Sequence, residues 1–360
     1  MKKTGIAVIG YGGMGDWHTE KIAQIEELKL TGVYDILESR RKLAEEKGIH
    51  AYASMEELVA DPKVEIVTVA TPNHLHKPIC IKAMESGKNV VCEKPVALSH
   101  QELQDMIDAA KTNNVLFTVH QNRRWDEDYR IIKHLYEENV LGRTFRIESR
   151  VHGSRGITSG WRNQKECGGG IVLDWGVHLL DQIMQMIPEK VVSLYAELSY
   201  VTNENCDDGF AVTIKFANDL TVVVEVGTRN FINLPRWYML GENGSAVINN
   251  FKPEGKIVMV SDWQNREAAP VETAAGLTKT MAPRTSETLK EYPLPRQQTD
   301  VRDFYRNVIK AIHGEEKQLI KHHELLRVMM LMEAIFESAE KNVVITDFEE
   351  RCIKNRCSGK

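Results

Sequence analysis

The sequence has no CxxC pair. Its six cysteines, Cys80, Cys92, Cys167, Cys206, Cys352 and Cys357, are scattered, which argues against a structural zinc site or a disulfide framework and fits a reducing, cytoplasmic setting. Long apolar runs are missing as well, and nothing approaches the roughly 18 residues of a membrane span. The opening MKKTGIAVIGYGGMG carries two lysines and a short apolar run, but glycines interrupt it and polar DWHTEK follows. It reads as a first strand rather than a secretion signal. Blocks of one charge sign are also absent: 51 acids and 46 bases are interspersed for a net charge of −5. That pattern offers no surface for nucleic acid or a membrane. No internal repeat or low-complexity segment is present.

What is present is an ordinary globular composition, 42% hydrophobic and 27% charged over 360 residues, long enough for two domains. From residue 5 to about 120, short β-rich runs (GIAVIG, LKLTGVYD, IVTVAT, NVVCEK, LFTVHQ) alternate with helical stretches. Alternation of this kind requires crossover connections, hence a doubly wound parallel sheet over residues 1–121. After residue 122 the pattern changes to a helix ending at Gly142, a strand, the helical segment GGGIVLDWGVHLLDQIMQMI, and then several strands joined by short turns. This predicts an α+β domain over 122–360 with a mostly antiparallel sheet. Asn218-Asp219 is a hairpin candidate. Residues 262–298 are polar, with several prolines, and read as an irregular excursion before two final helices. The Met and Leu stripe of the last helix reads as core.

Two features of the first domain point to a dinucleotide. Gly10, Tyr11, Gly12, Gly13, Met14 and Gly15 form a GxGxxG turn that closes a predicted strand and opens a helix, where backbone N–H groups can meet a pyrophosphate. Twenty residues on, Asp35 ends the next strand, where an acid binds ribose hydroxyls and repels a 2′-phosphate. NAD is therefore the expected cofactor, with NADP kept open by nearby Arg40 and Arg41.

A nicotinamide site also needs a group for the substrate oxygen and a group for its proton. In VVCEKPVA an apolar strand ends in Glu93, Lys94 and Pro95. Ligands of open α/β sheets bind beyond the carboxyl ends of strands, so Lys94 is delivered to the cofactor crevice. Asp174 and His178 stand four apart and share one face if the segment is α-helical, among apolar neighbours that give polar residues a need for a reason. The alternative readings are a solvated lysine and ordinary surface polarity.

The glycine turn, TPNHLH at 71–76, CEKP at 92–95 and GGGIVLDWGVHLLD at 168–181 together resemble the Gfo/Idh/MocA family of sugar and cyclitol dehydrogenases, over nearly the whole chain. The resemblance implies a Rossmann domain followed by an α+β domain with a large open-faced sheet that forms a homodimer or homotetramer. It implies a small-molecule sugar or polyol as substrate, and no metal. It assigns Lys94 to the reacting hydroxyl and the cofactor, His178 to general acid/base work, and Asp174 to a substrate hydroxyl. It lines the cofactor with Thr71, Pro72, Asn73, His76, Glu93 and Gln121, and adds Trp161 and Arg162 for cofactor or substrate. His152 is a further candidate substrate contact. Trp175 departs from the family, where that position is usually small or apolar; its face either stacks on a sugar ring or packs into the core. Two rival functions use the same parts: an NAD-dependent glycosidase that oxidises a sugar transiently and eliminates the aglycone, and a dinucleotide sensor.

Overall fold

The computed structural model describes residues 3–278 and 280–358. Its amino-terminal half is a five-stranded parallel sheet in the order β2-β1-β3-β4-β5. The strands are β1 (Thr4–Ile9), β2 (Leu28–Tyr34), β3 (Ile66–Val69), β4 (Asn89–Cys92) and β5 (Phe117–Val119). Helices α1 (Gly13–Ile22), α2 (Glu38–Glu46), α3 (Met55–Ala60), α4 (His76–Glu85) and α5 (His100–Thr112) make the connections. Every residue of β1 and β3 is buried, as parallel strands covered on both faces require. The strand order reverses between β1 and β3, which opens a crevice at their carboxyl ends. Gly10, Thr71, Lys94 and Gln121 all stand at strand ends on that edge. Ser99 caps α5 by accepting the Glu102 N–H at 3.2 Å, while the Glu102 carboxylate accepts the Leu98 N–H at 2.9 Å. This pins the chain as it leaves the Lys94 turn.

After α6 (Glu127–Glu137) comes the second sheet, of eight strands in the order β15-β12-β11-β10-β6-β9-β8-β7. These are β6 (Thr144–His152), β7 (Val191–Ser199), β8 (Gly209–Phe216), β9 (Thr221–Gly227), β10 (Trp237–Gly241), β11 (Gly244–Ile248), β12 (Gly255–Val260) and β15 (Leu289–Pro293). All neighbours are antiparallel except β6 and β9. Burial alternates along β8 and β9, the pattern of a sheet packed on one face. Helices α7 (Val177–Met186) and α9 (His322–Lys341) pack together over it. The methionines and leucines of α9 are core, as the sequence predicts. The 218–219 hairpin is present, with Asp219 at φ +65° and the Asn218 side chain accepting the Leu220 N–H at 3.2 Å.

Two expectations are corrected. Residues 262–298 contain a small hairpin, β13 (Val271–Thr273) with β14 (Gly276–Thr278), and then β15, which completes the edge of the large sheet. These strands are mostly exposed and so lack the apolar alternation that marks a strand in sequence. The segment after the three glycines is not a plain α-helix: residues Val172–Gly176 form a π-helical turn leading into α7. Helices α8 (Arg302–Ile312), α9 and α10 (Phe348–Ser358) complete the chain. Of these, α8 reaches back to the first sheet through Tyr305, whose hydroxyl bonds Thr68 and His18.

Candidate active site

The glycine turn leaves room for a diphosphate. Gly10 has φ +91°, and a Cβ there would lie 2.5 Å from the Ala70 carbonyl oxygen, so no larger residue fits between β1 and β3. A Cβ on Gly12 or Gly13 would meet nothing within 4 Å, so the backbone is open on the crevice side. No side chain caps the N-terminus of α1, which leaves its N–H groups available to an anion. Asp35 holds the loop in shape: its Oδ2 accepts the Tyr11 N–H at 2.7 Å and its Oδ1 the Leu37 N–H at 2.9 Å. The ring of Tyr11 is buried, so its contribution to the crevice is the backbone. Arg41 donates to the Asp35 and Ile36 carbonyls at 2.5 and 3.2 Å. The hydroxyl of Thr71 is buried at the neighbouring strand end with no hydrogen-bond partner among the described residues. An open glycine turn, an uncapped helix and an orphaned hydroxyl fit a bound dinucleotide.

Lys94 crosses from this edge to the second domain. Its Nζ donates to the Asp174 carbonyl at 2.8 Å and to Asp174 Oδ1 at 3.0 Å. The π turn carries Asp174, and such insertions recur where a helix serves a site. Arg162 Nε lies 3.6 Å from the other carboxylate oxygen, with the guanidinium stacked 4.3 Å from the Trp161 ring. Burial pushes the Asp174 carboxyl up, but the Lys94 ammonium, with Arg162 and Arg123 behind it, outweighs this and holds it below the ordinary value.

His178 is 5% exposed, and its Nδ1 has no hydrogen-bond partner among the described residues. Burial first, then the charges of Lys94 and Arg123, hold its pKa well below the ordinary imidazole value. The ring is therefore neutral at physiological pH, the state of a proton acceptor. Trp175 packs edge-on against it at 6.0 Å. Trp175 also meets the Arg123 guanidinium at 4.4 Å and Phe251 at 6.0 Å. Asp174 and Trp175 also line a cavity of about 570 Å³ between the 152–159 loop and the end of β9, so this tryptophan is part of the site wall. Asp174 and His178 share no hydrogen bond: the carboxylate is taken by Lys94 and Arg162. The expected common helical face is replaced by two roles separated by the π turn.

Residues 4–121 match the family model described as an oxidoreductase family with an NAD-binding Rossmann fold, and residues 129–247 match the GFO/IDH/MocA C-terminal domain. The chain belongs to the Gfo/Idh/MocA family. A solved NAD-binding protein from Listeria innocua is 43% identical to this Gfo/Idh/MocA chain, with a TM-score of 0.93, covering 96% of this chain and 100% of that one. A scyllo-inositol 2-dehydrogenase (NADP(+)) of Bacillus subtilis is 23% identical, over 94% of this chain and 95% of its own. A 2,7-anhydro-N-acetylneuraminate hydratase of Escherichia coli is 29% identical, over 69% of this chain and 68% of its own.

Several candidate residues of this Gfo/Idh/MocA site are buried behind its wall. Glu93 is 5% exposed, its Oε1 accepting from His18 Nε2 and His120 Nδ1, each at 2.7 Å, and its Oε2 from the Lys94 N–H at 3.1 Å. Burial opposes the charge, but these partners keep Glu93 ionised, while burial keeps His18 neutral. The His76 ring lies between the Pro95 and Thr71 carbonyls, with Nδ1 at 2.8 Å from one and Nε2 at 2.9 Å from the other; burial disfavours its cation, and the neutral ring donates to one of the two. Pro72 is half-buried and its carbonyl accepts the Leu75 N–H at 3.0 Å. Asn73 Nδ2 donates to the Gly168 carbonyl at 2.8 Å, bridging the domains. Gln121 is buried at the end of β5. The His152 ring faces Glu225 and the Leu234 N–H, with its side chain 1% exposed, so only its backbone borders the cavity. Sequence reasoning missed His18, His120, Arg123, Phe251, Tyr305 and Asp207, which come together only through long-range packing. Asp207 is the clearest: its Oδ2 accepts the Val172 N–H at 2.7 Å, capping the helix that carries Asp174 and His178. Gly170 makes this approach feasible, with φ +105° and a would-be Cβ 2.2 Å from Asp207 Oδ1.

Proposed function

We propose that the protein is an NAD-dependent dehydrogenase acting on a secondary hydroxyl of a sugar, glycoside or cyclitol. The observation that carries this reading is a buried His178, held neutral, close to the Lys94 ammonium that pairs with Asp174, while Asp174 itself lines the cavity. The nicotinamide of the bound cofactor supplies the two-electron acceptor. The glycine turn and the first turn of α1 hold the diphosphate, Asp35 the ribose, and Thr71 a polar edge of the cofactor. His178 takes the hydroxyl proton on Nε2, because Nδ1 is sealed from solvent. Lys94 turns a donor toward the same oxygen as negative charge develops there, a contribution aimed at the transition state. Asp174, kept ionised, accepts from a neighbouring hydroxyl and fixes the ring, and Trp175 offers that ring a flat wall.

A second reading, oxidation followed by elimination and re-reduction, is favoured by the hydratase relative. The test is incubation with NAD⁺ and a panel of cyclitols, free sugars and glycosides, followed by absorbance and mass spectrometry. The dehydrogenase reading predicts a product two hydrogens lighter, equimolar with NADH. Product without accumulated NADH supports the elimination reading, and no conversion in either direction with NAD(H) or NADP(H) refutes both.

A further inference from the structure

Charge is distributed unevenly around the cavity. Acids outnumber bases in the chain as a whole, 51 to 46, yet no carboxylate occurs between Glu148 and Glu166 or between Glu225 and Glu242. Residues 151–159 of the first stretch and 226–228 of the second line the cavity. They are stitched together by backbone bonds from Gly153 N to Gly227 O at 2.8 Å, Gly156 N to Thr228 O at 2.9 Å and Asn230 N to Gly153 O at 2.8 Å. The bonds set Arg155, next to Gly156, and Arg229, next to Thr228, on one rim.

Three of the five arginines in these stretches are paired with carboxylates: Arg150 with Glu148 and Glu225, Arg162 with Asp174, and Arg236 with Asp128. Arg236 is also buried, donating to Ser149 and Gln182. Arg155 lines the cavity and is exposed, with no hydrogen bond or ion pair among the described residues. Arg229 is exposed, with its guanidinium 5.6 Å from the Phe231 ring and no hydrogen bond or ion pair among the described residues. Deeper in, Asp174 is a single carboxylate shared by Lys94 and Arg162. Arg123 bonds Asp126 through one terminal nitrogen at 2.8 Å, while its Nε is buried without a partner. Stabilising one developing alkoxide accounts for Lys94 and leaves the rim cations unexplained.

We propose that the substrate carries an anionic group away from its reacting carbinol, a carboxylate or a phosphate ester, and that Arg155 receives it with Arg229 beside it. This rests on the oxidoreductase reading of the site and narrows its substrate class to acidic sugars or polyols. A guanidinium fork matches either anion in two parallel hydrogen bonds. Unpaired cations at the cavity mouth also draw such a substrate in, an effect that weakens with salt.

The test is calorimetric titration of the NAD-loaded protein with D-glucose, D-glucuronate and D-glucose 6-phosphate, at low and high salt, repeated with Arg155→Gln. At least one anion is expected to bind about 10–100-fold tighter than glucose, the range of one charge-assisted contact; the tighter of the two names the class. That advantage should shrink with salt and be largely lost in Arg155→Gln. Glucose binding as tightly as both anions, an advantage untouched by the substitution, or no binding of either anion would overturn the proposal. NADH measured in the same samples separates the two claims. Selective binding of an anion without redox turnover counts against the dehydrogenase reading alone, whereas equal oxidation of neutral and anionic sugars counts against this inference alone.

Discussion

Replacing Lys94 with methionine keeps the unbranched side chain out to Cε and removes the ammonium, which makes it the most informative perturbation of the site. In the intact protein Lys94 Nζ makes two contacts to Asp174, at 2.8 and 3.0 Å, with side chains 16% and 18% exposed. Three consequences follow. Loss of a donor aimed at the developing alkoxide costs about 2.7–4 kcal/mol of transition-state stabilisation, so kcat should fall about 10²–10³-fold. Removing one partner of a fully buried pair costs about 3–5 kcal/mol. Asp174 retains some exposure and Arg162 at 3.6 Å, so the stability loss should lie at or below the lower end of that range. The third consequence is a change in pH dependence. Lys94 is the largest charge lowering the His178 pKa, so its removal raises that pKa. A base works only when neutral, so activity is lost as pH falls through the His178 pKa, and the acid limb of the kcat profile must move to higher pH. Steady-state kinetics across pH, with urea unfolding as a control for folding, measures all three. Unchanged turnover, or an acid limb displaced to lower pH, would refute the assignment of Lys94 to the reacting oxygen and to the electrostatics of His178.

His178→Ala should lower kcat by about 10²–10⁴ with cofactor affinity nearly intact; a parallel loss of NAD binding in titrations would point to a structural role. Glu93→Gln puts an amide N–H opposite a donor at the His18, His120 and Lys94 N–H hub. Urea unfolding should show a loss of about 1.5–3 kcal/mol, the worth of a hydrogen bond to a charged group, and an unchanged midpoint would contradict a working hub. Asp207 is buried and its carboxyl is pushed up to about 7, chiefly by burial and against the Val172 and Ile171 N–H groups. A carboxyl raised on folding contributes stability below its unfolded pKa of about 3.9, a contribution lost as pH rises through about 7. Asp207→Asn keeps an acceptor for Val172, so its stability relative to the parent should improve from pH 5 to pH 8, as followed by thermal melting; a constant difference would show that Asp207 is already ionised at the lower pH.

Much of the cofactor half could be read from the chain because its signals are local. Gly10 to Gly15, Asp35 and the Glu93-Lys94-Pro95 turn each lie within a few residues of a strand end, and parallel-sheet topology fixes where strand ends go. The substrate half resisted because its signals are not local. The π turn at Val172–Gly176 begins where Asp207, from a distant loop, accepts the Val172 N–H. The family resemblance places Glu93 along the cofactor, yet its carboxylate turns inward, where His18 on α1 and His120 beyond β5 meet it. The exposed strands β13 to β15 carry no apolar alternation to announce them. Arg155 and Arg229 gain their meaning only when two loops about 70 residues apart are stitched into one rim.

The most direct test of the central claim is to follow deuterium. The protein is incubated with NAD⁺ and cyclitols, sugars or sugar acids deuterated at their ring carbons, and the cofactor is weighed by mass spectrometry. The account predicts reduced nicotinamide carrying one deuterium, in equal amount to the oxidised product. Product formed while the reduced cofactor stays unlabelled or never accumulates would contradict it.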